Sequence, residues 1–199
     1  MGLADILGTI WPQIANLAPY HLLIYSTLLG TELYQTFVVT KICFTALPRP
    51  AFIALQKRLF PVYFQAQSTL LVLAAVTFPP GGVASLARGG KSGWVPFVVA
   101  GVTAGLNLLV YGPRTRKVML ERAGFLETRD GVRRSRGNGD GDGDGEGGGG
   151  RLGEQGAEMQ KLNRAFSTTH AMSIHLNLIS VVAMVFYGWR LALRLDVSS

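Results

Sequence analysis

A single cysteine, Cys43, in 199 residues leaves no partner for an internal disulfide and no redox pair. Charge is scarce too: 16% of the chain is Asp, Glu, Lys or Arg against 48% hydrophobic, and the mean hydropathy of +0.28 is too high for a typical soluble globule. No Gly-x-Ser-x-Gly elbow, His-Glu-x-x-His pair or phosphate loop occurs, so no group is set up to make or break a covalent bond and an enzyme is not expected. Residues 1–19 hold no Lys or Arg and no short apolar stretch ending in small residues, so a cleavable signal peptide is not expected. Position 6 is Ile6 where a myristoylation signal wants Ser or Thr. With Leu3, Ile6, Leu7, Ile10, Trp11 and Ile14, this stretch reads instead as a short interfacial helix broken at Pro12.

What the chain does have is long apolar runs. They cover about 20–44, 62–78, 94–111 and 170–193, each reaching or nearly reaching the roughly 17 to 25 residues needed to cross hydrocarbon about 30 Å thick. The second and third are marginal, and extension into flanks such as Leu59 and Phe60 would make up the deficit. Tyr20, Phe44, Tyr63, Trp94, Tyr111, Tyr187 and Trp189 fall near the ends, where interfacial aromatic belts are expected. The expectation is an all-α, four-helix transmembrane bundle whose first span is its own signal anchor.

Basic residues orient it. The loop 41–58 holds four Lys or Arg and the segment 114–164 holds eleven, against Arg88, Lys91, Arg190 and Arg194 elsewhere, fifteen against four. The positive-inside rule therefore puts both basic connectors in the cytosol and both termini on the lumenal or exterior side. Arg49, Lys57, Arg58, Arg114, Arg116 and Lys117 lie beside membrane ends, where each cation is worth about 1 kcal/mol against anionic lipid headgroups. The bilayer and those headgroups are the expected partners, with room for membrane-protein partners or a homo-oligomer. Nucleic acid is not expected, because the basic stretch 114–136 lacks interleaved aromatics and belongs to an integral membrane protein.

Within the first connector stand Leu47-Pro-Arg49, Phe52, Gln56 and Lys57-Arg-Leu-Phe-Pro-Val-Tyr-Phe64, whose prolines are expected to bracket the end of one span and the start of the next. Together with His21-Leu-Leu23, Ser26, Gly30, Thr36-Phe37, Asn107, Pro113-Arg-Thr115, Leu162, Phe166, His170, Ser173 and Asn177-Leu178, this pattern resembles the transmembrane protein 205 family of small eukaryotic membrane proteins. The resemblance covers most of the chain outside 1–19 and 125–156. It implies four spans in the endoplasmic reticulum or another endomembrane, with no biochemical activity to carry over. Glu32 departs from it, standing where the family is expected to have an uncharged residue, often Gln.

Residues 137–150, Gly-Asn-Gly-Asp-Gly-Asp-Gly-Asp-Gly-Glu followed by four glycines, have no apolar anchor and are expected to form a disordered cytosolic loop. Asp140, Asp142 and Asp144 mimic the start of a calcium loop, but position twelve is Arg151 rather than a bidentate Glu. Gly137-Asn-Gly-Asp140 mimics an intramembrane aspartyl-protease motif without the second carboxylate. Around the loop, helical patterns through Val118, Leu120 and Ala123 and through Met159, Leu162 and Phe166 suggest two cytosolic extensions that pack together. The chain thus divides into a segment 1–19, three spans with an extension over 20–128, a linker 129–156, and a helix 157–199 that becomes the fourth span.

The polar residues inside the spans are the most suggestive chemistry. His21, Tyr25, Leu28, Glu32 and Gln35 are spaced 4, 3, 4 and 3, sharing one helix face; His170, Ser173, Asn177 and Ser180 repeat the pattern in the fourth span. Glu32 lies roughly 16 Å below His21, near the midplane. Counting depth the same way, Glu32, Gln35, Gln65, Ser68, Asn107, His170, Ser173 and Asn177 fall in the cytosolic half, a candidate intramembrane polar site. His21 and His170 sit at opposite faces and His175 points about 140° from His170, so no metal or haem site is expected, and no cofactor. Such residues commonly hold helices together, and Gly101-Val-Thr-Ala-Gly105 suggests close packing of the third span. The function expected is that of a membrane interaction or organising protein, or else a small transporter using the polar site. Tags at both ends should survive protease treatment of sealed microsomes, while digestion of the C-terminal tag would reverse the orientation.

Overall fold

The computed structural model describes the backbone of residues 15–137 and 148–194, with side chains over 15–128 and 156–194. The interfacial helix expected over the first residues and both motif mimics of the glycine-rich segment thus fall wholly or partly outside the described residues. Helix α1 (Leu17–Leu33) passes through a π-helical turn (Tyr34–Val39) into α2 (Thr40–Ala46), and α3 (Arg49–Val76) follows. A short α4 (Val83–Arg88) leads to α5 (Lys91–Leu106), which continues through a second π turn (Asn107–Tyr111) into α6 (Gly112–Gly137). The last helix, α7, is Gly148–Ala192, and the described residues contain no strand. Four segments are long and apolar enough to cross a membrane: Leu17–Ala46, Arg49–Val76, Lys91–Thr128 and Gly156–Ala192. The shortest has 28 residues, about 42 Å of helix, so the second and third apolar runs are the middles of longer helices.

Local sequence sets these ends. Asn16 caps α1 by accepting the Ala18 N–H at 3.0 Å. Pro50 stands in the first turn of α3, where a missing N–H costs nothing. Pro61, read from sequence as a boundary, is inside α3. Good helix formers from Ala51 to Leu59 carry the helix across it, and one proline is tolerated in a membrane helix. The connector between the first two spans therefore shrinks to Leu47 and Pro48. Likewise α6 reaches Gly137 and α7 begins at Gly148, so both flanks of the expected linker are helical, and 138–147 lie outside the described residues.

Two compact units arise, residues 1–108 with 176–199, and residues 109–175. In the first, α1, α3, α5 and the end of α7 surround a core of Tyr25, Leu28, Leu71, Ala74, Phe97, Ala100, Ala104, Met184 and Tyr187, with Phe78 and Leu86 closing one end. Outward faces are apolar as lipid requires, with Phe44 70% and Trp189 69% exposed. Tyr63 and Tyr187, placed in an interfacial belt by sequence, are instead buried because each hydroxyl has a partner inside the bundle. In the second unit the expected helix extensions meet through the Arg122 guanidinium, 5.6 Å over the Phe166 ring, and Thr115 and Ser173 are buried.

The small-residue contact lies elsewhere than Gly101 and Gly105. A Cβ at either would meet nothing within 4 Å, whereas Ala100 and Ala104, one position earlier, are in the core. The close approach is at Gly188, where a Cβ would collide with the Tyr25 hydroxyl that donates to the Met184 carbonyl at 2.8 Å. Gly188→Ala should therefore lower unfolding stability in detergent by about 1–3 kcal/mol, while Gly101→Ala stays within about 0.5 kcal/mol of wild type. Equal effects of the two would contradict this packing.

Candidate functional site

All five residues of the α1 stripe, His21, Tyr25, Leu28, Glu32 and Gln35, are buried, as their spacing requires. They serve two levels of the first unit. At the level of His21, the ring Nδ1 lies 2.9 Å from the Ala74 carbonyl, which can only accept, so Nδ1 carries the hydrogen. Nε2 meets the Tyr187 hydroxyl, and Phe97 packs on Tyr187 edge-on at 4.8 Å. This level is a hydrogen-bonded aromatic plug.

The second level is built on Glu32. Its Oε1 accepts from Gln67 Nε2 at 2.7 Å and from Ser180 Oγ at 2.9 Å, tying α1 to α3 and α7. Gln67 Nε2 also lies 3.2 Å from Ser180 Oγ. One turn further in, Asn177 Oδ1 accepts from the Tyr63 hydroxyl at 2.7 Å, and Asn177 Nδ2 donates to Thr36 Oγ1 at 2.8 Å. Two π turns interrupt the helices, and the first begins beside this level. The first starts two residues after Glu32, and the Gln35 carbonyl accepts both the Thr40 N–H and, at 3.0 Å, the Thr40 hydroxyl; the second starts at buried Asn107. Such turns recur at functional sites.

Of the residues singled out by sequence, Glu32 and Asn177 are joined in this network through Gln67, which reaches Asn177 Oδ1 at 3.5 Å. Gln35 is buried next to it with Nε2 unpartnered, and Asn107 is fully buried in the same unit. Ser68 is half-buried. Gln65 is exposed and takes no part. His170 and Ser173 belong to the second unit, where His170 stacks on Phe166 at 5.3 Å. Arg49, Arg58, Arg114, Arg116 and Lys117 are exposed and Lys57 half-buried, as surface cations should be.

Gln67, Tyr63 and Thr36 were missed as site residues, and Ser180 was seen only as a member of its stripe. The signal for Gln67 was the phase of α3: Tyr63, Gln67, Leu71 and Ala74 recur at 4, 4 and 3 and are all buried. Gln65 is about 200° around the helix from Gln67.

Chemically, the level offers a carboxyl group, amides and hydroxyls that bond one another. His21, roughly 16 Å from Glu32 along α1, is too far to act as a base for Ser180, and among the described residues no three His, Cys, Asp or Glu side chains could hold a metal. Two acceptor atoms remain buried without a partner, Glu32 Oε2 and Gln67 Oε1.

Residues 23–124, just over half of the chain, match the model of a domain of unknown function, DUF4149. This chain belongs to the DUF4149 family. The match contains Glu32, Thr36, Tyr63 and Gln67 and stops short of Asn177 and Ser180, so the family domain supplies the α1 and α3 side of the network. This DUF4149 protein is also 41% identical over 185 residues to xanthocillin biosynthesis cluster protein D of Aspergillus fumigatus, covering 92% of this chain and 94% of that one. No solved structure matches it.

Replacing Gln67 with Leu removes a donor from Glu32 at the centre of the DUF4149 bundle. Gln67→Leu should cost about 0.6–1.7 kcal/mol in an SDS-unfolding titration, while Gln65→Leu costs nothing measurable. A larger loss for Gln65→Leu would overturn the assignment of the buried face.

Proposed function

We infer that this DUF4149 protein is a non-enzymatic, multi-pass organising protein of an endomembrane, holding or gathering other membrane components where a small-molecule biosynthesis proceeds. The observation that carries this is that the polar side chains spend most of their hydrogen bonds on one another. Six side chains from α1 and the π turn after it, α3 and α7 bond one another directly, which fixes the bundle and leaves its apolar outer faces as the surfaces offered to partners. The relative's place in a biosynthesis cluster supports the setting. The resemblance to the transmembrane protein 205 family supports an endomembrane, and the excess of basic residues in the connectors supports lumenal termini.

A small transporter is the second reading, favoured by one observation: Glu32 Oε2 and Gln67 Oε1 lie inside the bundle without partners, and an intramembrane carboxyl is a functional candidate by default. Proximity labelling from the connector between α6 and α7 should enrich a reproducible set of membrane-bound biosynthetic enzymes, and labelling no different from an unrelated four-span protein would refute the organising role. Purified proteoliposomes should show no solute flux sensitive to Glu32→Gln. Flux that vanishes in that variant would establish the transporter instead.

A further inference from the structure

Where α5 starts and α7 ends, an apolar groove of about 650 Å³ opens on the outside of the first unit. Buried Pro96 and half-buried Ala183 form its floor, and Val95, Val182, Ile179 and Phe186 are among its walls. The groove exists because residues with little bulk face each other there between larger neighbours on both helices. From Lys91 to Val99 and from Phe186 to Leu178 it follows eight helical steps, about 12 Å.

One end of the groove is cationic. Lys91 lines it, exposed, and Arg190 reaches across from α7 to donate an N–H to Ser92 Oγ at 3.0 Å. That bond uses one of the five N–H groups of the guanidinium and ties it to a residue that lines the groove. Glu32 is the one acidic side chain described in this unit, and it is engaged by Gln67 and Ser180. So among the described residues neither Lys91 nor Arg190 has a carboxylate partner, and Arg88 and Arg194 carry the same charge. These are also the four cations on the minority side of the positive-inside count, which leaves them without a topological role.

We propose that this groove is a binding site for one phospholipid with an anionic headgroup. An acyl chain lies against Pro96 and Ala183, and the phosphate and anionic head sit between Lys91 and Arg190. Apolar length and charge coincide as the occupant requires: twelve ångströms of hydrocarbon contact leading up to two cations at the level of the headgroups. This inference stands independently of the organising role.

The test is native mass spectrometry of the full-length protein released from detergent with either phosphatidylglycerol or phosphatidylcholine of identical chains. Wild type should retain phosphatidylglycerol at least fivefold more tightly. Lys91→Gln, at an exposed position with no packing role, should lose about fivefold of that preference, since a cation near an anionic headgroup is worth about 1 kcal/mol. Arg190→Gln should act in the same direction, and Val182→Trp, which fills the groove from an exposed wall, should weaken both lipids. Equal retention of the two lipids by wild type, or an unchanged preference in Lys91→Gln and Arg190→Gln, would overturn the proposal. So would a dimer, free of lipid, that Val182→Trp abolishes, since the groove would then belong to a second copy.

Discussion

A carboxyl group buried deep in a helix that crosses the bilayer has to find donors inside the protein, because hydrocarbon offers none. Glu32 meets that constraint by taking two hydrogen bonds on one oxygen, from Gln67 on α3 and Ser180 on α7. The bonds come from different helices, so the rotation of α1, α3 and α7 about their axes is tied to a single atom. Apolar packing in lipid is weakly directional, and a polar contact of this kind fixes which faces meet.

The remaining features follow from that alignment. With Glu32 turned inward, its neighbours at helical spacing are turned inward too, which delivers His21 to the Ala74 carbonyl and Tyr25 to the Met184 carbonyl. The latter contact needs α7 to come close, and Gly188 allows it. Asn177, one turn from Ser180, is brought between Tyr63 and Thr36. The two levels, one aromatic and one polar, are thus consequences of a common register among the helices.

Much of this was legible in the sequence. The α1 stripe could be read because a span has few polar residues, and a 4, 3, 4, 3 spacing admits one face. On α3 the same reasoning was ambiguous, since Gln65, Gln67 and Ser68 point in different directions and only the phase set by Tyr63, Leu71 and Ala74 chooses among them. Gly101 and Gly105 mark a face that could pack closely, yet nothing in a glycine pair says which side of the helix meets its neighbour, and here Ala100 and Ala104 do. Pro61 misled because a proline stops a helix in water more reliably than in a membrane, where few alternatives to helix exist.

Function is less direct to read, because a closed polar network and a binding site begin from the same residues. What separates them is whether the side chains spend their hydrogen bonds on one another, and in this DUF4149 protein most do. The central claim is that Glu32 and Gln67 act as one unit in joining α1 to α3. A double-mutant cycle with Glu32→Leu and Gln67→Leu, read by reversible SDS unfolding, tests it most directly. The account predicts a coupling energy of about 0.6–1.7 kcal/mol. Additive effects of the two substitutions, with no coupling, would contradict it.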